Sequence, residues 1–324
     1  MGKSVLLRTL GAAAAAGLML PAALHAQSWP AKPVRVIVPF APGGGTDIQA
    51  RLLGKSFHDS MGQTFVIENR AGASGIIGAE LAARSPADGY TILFTTASLA
   101  VNVTLYSKRV KFDAVKDLAP VSWISSTPLV LVVHPSVPVK NPQQLVTLAK
   151  KAGNLNAGSN GAGTTSHLSI EMLKQLTGVK VAHVPYKGGG PSMAALVSGE
   201  TDFNFATGPV ATPQIKSGRV RGLGVTTAKK SSAFPDLPAL TTIFPGLESD
   251  NWYAMFFPAE TPRPIIDKLN SEIVKALKTK EIVEFMPREA LDPVASSPEE
   301  LAANFKREVA RYAQIIKAGN INLE

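Results

Sequence analysis

The chain has 324 residues, no cysteine, 33 Lys+Arg against 24 Asp+Glu, and 45% hydrophobic with 18% charged residues. The length suggests about two domains, the composition is too apolar for a disordered chain, and the missing cysteine excludes disulfides, thiolate nucleophiles, iron–sulfur clusters, cysteine-bearing zinc sites and a lipid-modified anchor. The formal net charge of +9 leaves three classes of partner: nucleic acid, an anionic surface or small acidic ligands.

Residues 1–26 read as an export leader. Lys3 and Arg8 form a basic start, and Leu10 to Leu24 is an uncharged Ala/Leu-rich stretch. Leu24-His25-Ala26 before Gln27 resembles a signal-peptidase site, although Leu24 is larger than the small residue favoured there. The competing reading, a transmembrane anchor, needs roughly 20 apolar residues, and this run is shorter. Cleavage near Ala26 is expected. It removes two bases and no acid, so the exported protein stays basic.

Strands and helices then alternate. Val34 to Val38 is a β-branched strand stopped by Pro39 and the Pro42-Gly43-Gly44-Gly45 turn. From Thr46 onward, Ile48, Leu52, Leu53 and Phe57 fall at helical spacing until Gly62. Strand Thr64 to Glu68, a loop to Gly75, helix Ile76 to Arg84 and strand Tyr90 to Thr95 follow. A second unit begins near Pro128, with strand Leu129 to Val133, helix Pro142 to Lys151, strand Asn154 to Gly158 and helix Thr164 to Leu176. Strand Val179 to Val184, helix Pro191 to Ser198, strand Asp202 to Phe205 and strand Val220 to Thr226 complete it. After loop-rich residues 235–245 come strand Trp252 to Phe257 and helices Pro264 to Lys278 and Pro298 to Ala318.

This grammar predicts an α/β fold with mostly parallel sheets and helices on both faces. The last strand and long helices are placed to return to the first sheet. Domain boundaries are therefore expected near 126 and 251, giving a discontinuous first domain (27–126 plus 251–324) and a second domain at 127–250.

Two glycine loops carry the functional signal. Residues 39–47 and residues 158–166 each link a strand to a helix, where open α/β sheets bind ligands. Glycines let backbone approach a ligand, while free N–H groups and the helix dipole favour an anion. Thr46, Ser159, Thr164 and Thr165 add hydroxyl donors. The plain alternative is two ordinary turns in which Thr46 or Asp47 caps a helix. Recurrence at equivalent places favours the clamp.

Other motifs fail. Gly54-Lys55-Ser56 lacks the first glycine of a P-loop, and the Gly158 to Gly163 spacing reverses the dinucleotide fingerprint. The five histidines show no metal spacing, and Ser74 in Gly72-Ala73-Ser74-Gly75 is not a nucleophile elbow. His167 is placed in the cleft, with helix capping or a satisfied core role as the competing reading. Dispersed bases argue against nucleic acid.

Val38 to Asp47, then Asn69-Arg70-Ala71-Gly72-Ala73 with Gly75 and Gly78, then Asp88-Gly89-Tyr90, then Val184-Pro185-Tyr186-Lys187-Gly188 resemble the Bug family. These are the solute receptors of tripartite tricarboxylate transporters, and the resemblance runs through the whole mature chain. It implies a periplasmic receptor of the type II periplasmic-binding-protein fold, with two doubly wound domains joined by two crossing strands. The domains close over a small carboxylated solute. It implies no enzyme activity, no cofactor or metal, a monomer, and transient docking on integral membrane transporter subunits.

Carried over by residue, the first loop gives Phe40, Ala41, Gly43, Gly44, Thr46 and Asp47, and the second gives Ser159, Gly161, Thr164 and Thr165. Ala73, Ser74, Thr96 and Ser98 follow in the first domain, and His167, Tyr186, Lys187, Asp202 and Asn204 in the second. Two other functions stay open on the residues alone: a ligand-sensing receptor for a sensor kinase, and an exported α/β hydrolase acting on acidic substrates.

Overall fold

A computed structural model describes residues 29–107 and 110–322. The leader expected at 1–26 lies outside the described residues. The first half runs β1 (Val34–Val38), α1 (Gly45–Met61), β2 (Phe65–Asn69), α2 (Ile76–Ala83), β3 (Thr91–Thr96) and α3 (Ser98–Leu105). The long β4 (Leu118–Val133) leads into α4 (Pro142–Ala152), β5 (Leu155–Ser159), α5 (Thr165–Thr177), β6 (Val181–Pro185), α6 (Gly189–Ser198), β7 (Phe203–Thr207), α7 (Gly208–Lys216) and β8 (Arg221–Val225). The chain returns through β9 (Asp250–Pro258) to α8 (Arg263–Ala276), α9 (Lys280–Arg288), β10 (Asp292–Pro293) and α10 (Pro298–Ala318).

The strands are ordered β2-β1-β3-β9-β4-β7-β5-β6, with β8 and β10 also on β4. β1 is parallel to β2 and β3, and β5 is parallel to β6 and β7. β4 and β9 are antiparallel to each other and to these sets. The expectation of mostly parallel sheets therefore holds only within each set, because both crossing strands run against their neighbours. They produce two doubly wound halves with a shared spine.

Both faces of each half are covered, as continuous apolar strands require. In the first half Phe57, Phe94, Tyr253, Phe257 and Leu269 pack under α1 and α8, while Ile37, Leu93, Trp252, Phe256, Phe305 and Tyr312 pack under α3 and α10. In the second, Leu131, Phe203, Phe205 and Leu173 face α4 and α5, and Val130, Val132, Leu196 and Val210 face α6 and α7. Helix ends follow local chemistry. Gly62 closes α1 in the left-handed region, and Ser297 with Glu300 forms a reciprocal capping box on α10.

Sequence reasoning found the parallel strands but missed α3, α7, α9, β10 and the first eleven residues of β4. Pro120, Pro128 and the serines between them read as loop. β4 accommodates them with irregularities at Pro120/Ser122 and Trp123/Ser125. In α7, Pro209 and Pro213 obscure the helical pattern.

Phe256 on β9 is fully buried, with its ring centroid 5.5 Å from that of Phe305. Phe256→Ala is expected to cost about 3–5 kcal/mol. Urea unfolding should show a lower midpoint with an unchanged slope. An unchanged midpoint would contradict a central place for β9 in the core.

Candidate ligand-binding cleft

β1 and β5 end on the same gap, and each feeds a glycine loop into a helix start. The inner part of this gap is tight, about 20 Å³, which is room for one small polar group. Its wall contains the beginnings of five helices: Gly45 and Thr46 of α1, Ser98 of α3, Thr165 of α5 after its cap Thr164, Gly189 of α6, and Thr207 before α7. Each start presents N–H groups without intrahelical partners and the positive end of a helix dipole. No charged side chain is among the described lining residues.

Strand β9 supplies the floor through Asn251 and Tyr253. The Asn251 Nδ2 and Tyr253 hydroxyl are buried without a hydrogen-bond partner among the described residues. Burial pushes the Tyr253 phenol up to about 12, so it is a proton donor at any ordinary pH. Thr207 and Asn251 lie near enough to oppose that rise, but neither meets hydrogen-bond geometry with the hydroxyl. A Cβ on residue 45 would sit 2.3 Å from this hydroxyl, which explains the third glycine of the first loop.

An outer pocket of about 180 Å³ adjoins the inner one, with Phe40 and Asn160 lining both. Ala73, Ser74, Tyr106, Gly161, Tyr186 and Lys187 also line it, and Lys187 is the one charged residue among them. Ala73 and Ser74 hold left-handed backbone, φ 44° and 54°, an arrangement that costs non-glycine residues roughly 1–2 kcal/mol each. Ser74 nonetheless reaches across the gap to donate to the Ala162 carbonyl, which also accepts from the Tyr106 hydroxyl at 2.9 Å. The Ala41 N–H donates to the Lys187 carbonyl at 2.8 Å. The two halves are thus bridged on both sides of the outer pocket.

Of the residues singled out from sequence, Phe40, Gly44, Thr46, Thr96, Ser98, Thr164 and Thr165 line the inner pocket. Ala73, Ser74, Gly161, Tyr186 and Lys187 join Phe40 on the outer one. Ala41 instead bridges the halves through its backbone. Gly43 donates its N–H to Asp47, whose carboxylate also meets Arg51 at 2.9 Å and Asn69 at 3.0 Å. Burial raises the Asp47 pKa, but these partners outweigh it and hold the carboxylate charged. Asp202 accepts from the Asn156 N–H, and fully buried Asn204 bonds Ser192 and Ser166. These side chains brace loops and sheets rather than line the cleft.

Ser159 and His167 also stand behind the cleft. Ser159 Oγ accepts from Gly161 N–H and lies 2.6 Å from His183 Nε2, while His167 Nδ1 accepts from Gly163 N–H at 3.0 Å. The Ser–His contact invites a hydrolase reading, but Ser159 is 0% exposed and its hydroxyl cannot reach a substrate. Asn160, Tyr106, Thr207, Asn251 and Tyr253 were missed. For Asn251 and Tyr253 a signal existed: two polar-capable residues at period-two spacing on an otherwise apolar strand share one face.

The half-buried His183 has a testable consequence. Burial first, then His167, pushes its imidazole down to about 4, against about 6.5 in an unfolded chain. The unfolded state binds more protons between those values, so this stability is complete above the upper one and is lost as pH falls toward the lower. Burial raises the Glu171 pKa, but His167 and Lys174 overcome it and hold it at about 2, which confines its loss to a more acidic window. Wild-type urea midpoints should fall between about pH 7 and pH 5, and those of His183→Gln should fall less. Equal declines would contradict this assignment.

Residues 49–321 match the family described as "Tripartite tricarboxylate transporter family receptor". Protein BugT of Bordetella pertussis is 34% identical over 315 residues, covering 96% of each chain. Among solved structures, periplasmic binding protein BugD superposes with a TM-score of 0.88 at 32% identity, covering 91% of this chain and all of that one. R. palustris Rpa4515, determined with adipate, gives a TM-score of 0.87 at 33% identity, covering 91% of this chain and 99% of that one. With a match over most of its length and relatives of this similarity, the chain belongs to the tripartite tricarboxylate transporter receptor family, whose members are receptors rather than enzymes.

Proposed function

We propose that this protein is a periplasmic receptor that captures a small carboxylated solute by closure of its two halves and delivers it to a tripartite tricarboxylate-type membrane transporter. The observation that carries this reading is the inner pocket, where five helix starts and the unpartnered Asn251 and Tyr253 donors converge without a charged side chain. Such a site suits an anion, because aligned N–H groups stabilise charge without a buried cation. The adipate in Rpa4515 supports a carboxylate as that anion. The inner pocket receives one carboxylate and the outer pocket the rest of the molecule.

The proposed division is 27–126 plus 251–324 against 127–250, with β4 and β9 crossing between the units. Export by a leader cleaved near Ala26 and action as a monomer complete the reading. Among the described residues no helix is long and apolar enough to cross a membrane, so delivery requires a separate membrane partner.

Calorimetry of the mature protein against mono-, di- and tricarboxylates, adipate included, tests the proposal. Binding of at least one acid is expected; binding of none, alongside tight binding of a neutral sugar or a metal, overturns it. Closure has its own test at Gly190, where a Cβ would meet the Pro42 carbonyl at 2.6 Å. Gly190→Ala is expected to weaken acid binding about tenfold or more while leaving ligand-free thermal unfolding cooperative. Undiminished affinity would reject closure onto this contact.

A further inference from the structure

The second glycine loop is held from behind by two imidazoles that line neither the inner nor the outer pocket. Gly163 N–H donates to His167 Nδ1 at 3.0 Å. Gly161 N–H donates to Ser159 Oγ at 3.2 Å, and that oxygen lies 2.6 Å from His183 Nε2. A hydroxyl that accepts one amide can pass its own proton to the next acceptor, so the satisfied arrangement has Ser159 donating to His183. Both ring nitrogens are then acceptors, and an acceptor nitrogen carries no proton.

The rings stack with centroids 4.0 Å apart and planes 14° apart, so two charged rings would repel at close range. The charged groups facing them are Glu171 and Lys174 of α5. His167 Nε2 lies 3.6 Å from the Glu171 carboxylate, which Lys174 meets at 2.8 Å. The C-terminal segment brings uncharged Asn320 and Asn322 to the same groove, which has a volume of about 590 Å³. Solvent protons therefore have a route to the rings through this groove.

We propose that His167 and His183 are positioning residues that hold the second glycine loop only while their acceptor nitrogens are unprotonated, so that acidification loosens the loop and weakens carboxylate binding. The effect on binding rests on the receptor function proposed above; the effect on the loop does not. A proton on His167 Nδ1 sets one N–H against the Gly163 N–H. A proton on His183 Nε2 leaves Ser159 Oγ accepting from both sides and its own hydrogen without that partner. Glu171 stabilises positive charge on His167 from the opposite edge, so it promotes the break instead of resisting it. Burial opposes charge on His183 and sets the cost of reaching that state.

The test has two arms on the full chain. In the first, nuclear magnetic resonance follows the Gly161 and Gly163 amides and both imidazoles, without ligand, from about pH 7.5 to about pH 4. The amides are expected to shift with the midpoints of the rings. In His167→Asn and His183→Gln, whose side-chain oxygens replace Nδ1 and Nε2 as non-titrating acceptors, the corresponding amide should stay in place. Imidazoles that titrate without moving the amides, or amides that move equally in the variants, would overturn the proposal.

In the second arm, calorimetry measures adipate affinity at about pH 7 and about pH 5, where wild type should weaken about tenfold more than the variants. The titration of adipate itself is common to all proteins, so equal weakening contradicts the proposal. If adipate does not bind at either pH, that counts against the carboxylate reading, while the first arm still decides the role of the histidines.

Discussion

The cleft depends on two strands that belong to both halves of the molecule. β4 and β9 pair along their length, from Leu118 opposite Pro258 to Pro128 opposite Asp250. β3 attaches to one part of this spine and β7 to the other. Parallel sets built on either side therefore end on one gap, and the helix that follows each strand begins there. Neither half could build the inner pocket alone, since α1 and α3 supply one wall and α5, α6 and α7 the other.

This geometry separates recognition from net charge. Many of the bases sit in exposed surface pairs, such as Lys55 with Glu281 and Arg263 with Asp267 and Glu299, and each such pair is worth at most about 1 kcal/mol. The overall excess of +9 creates a field that speeds the approach of an anion. Selection at the inner pocket falls to peptide N–H groups, hydroxyls, the Asn251 amide and the Tyr253 phenol. Lys187, on the outer pocket, is placed to act on the far end of a ligand.

Much of this was legible in the residues. The two glycine loops and the helices they open announced themselves, because glycine, proline and hydroxyl residues punctuate apolar strands at recognisable spacing. The spine was only half legible: prolines and serines disguised the first part of β4, and its partner is some 130 residues away in the chain. Side-chain roles within a loop were hardest to read. Asp47, Ser159 and His167 have the chemistry of ligand contacts, yet their hydrogen bonds turn inward to shape the loops. Tyr253 reads as an ordinary aromatic on a buried strand until the topology places it beneath Gly45.

The most direct measurement is a crystal structure of the protein with a bound acid identified by the calorimetric panel. A carboxylate seated in the inner pocket, accepting from the starts of α1 and α5 and from Asn251 or Tyr253, is the predicted result. A carboxylate held by Lys187 in the outer pocket, with the inner pocket left to an apolar part of the ligand, would contradict recognition by uncharged donors.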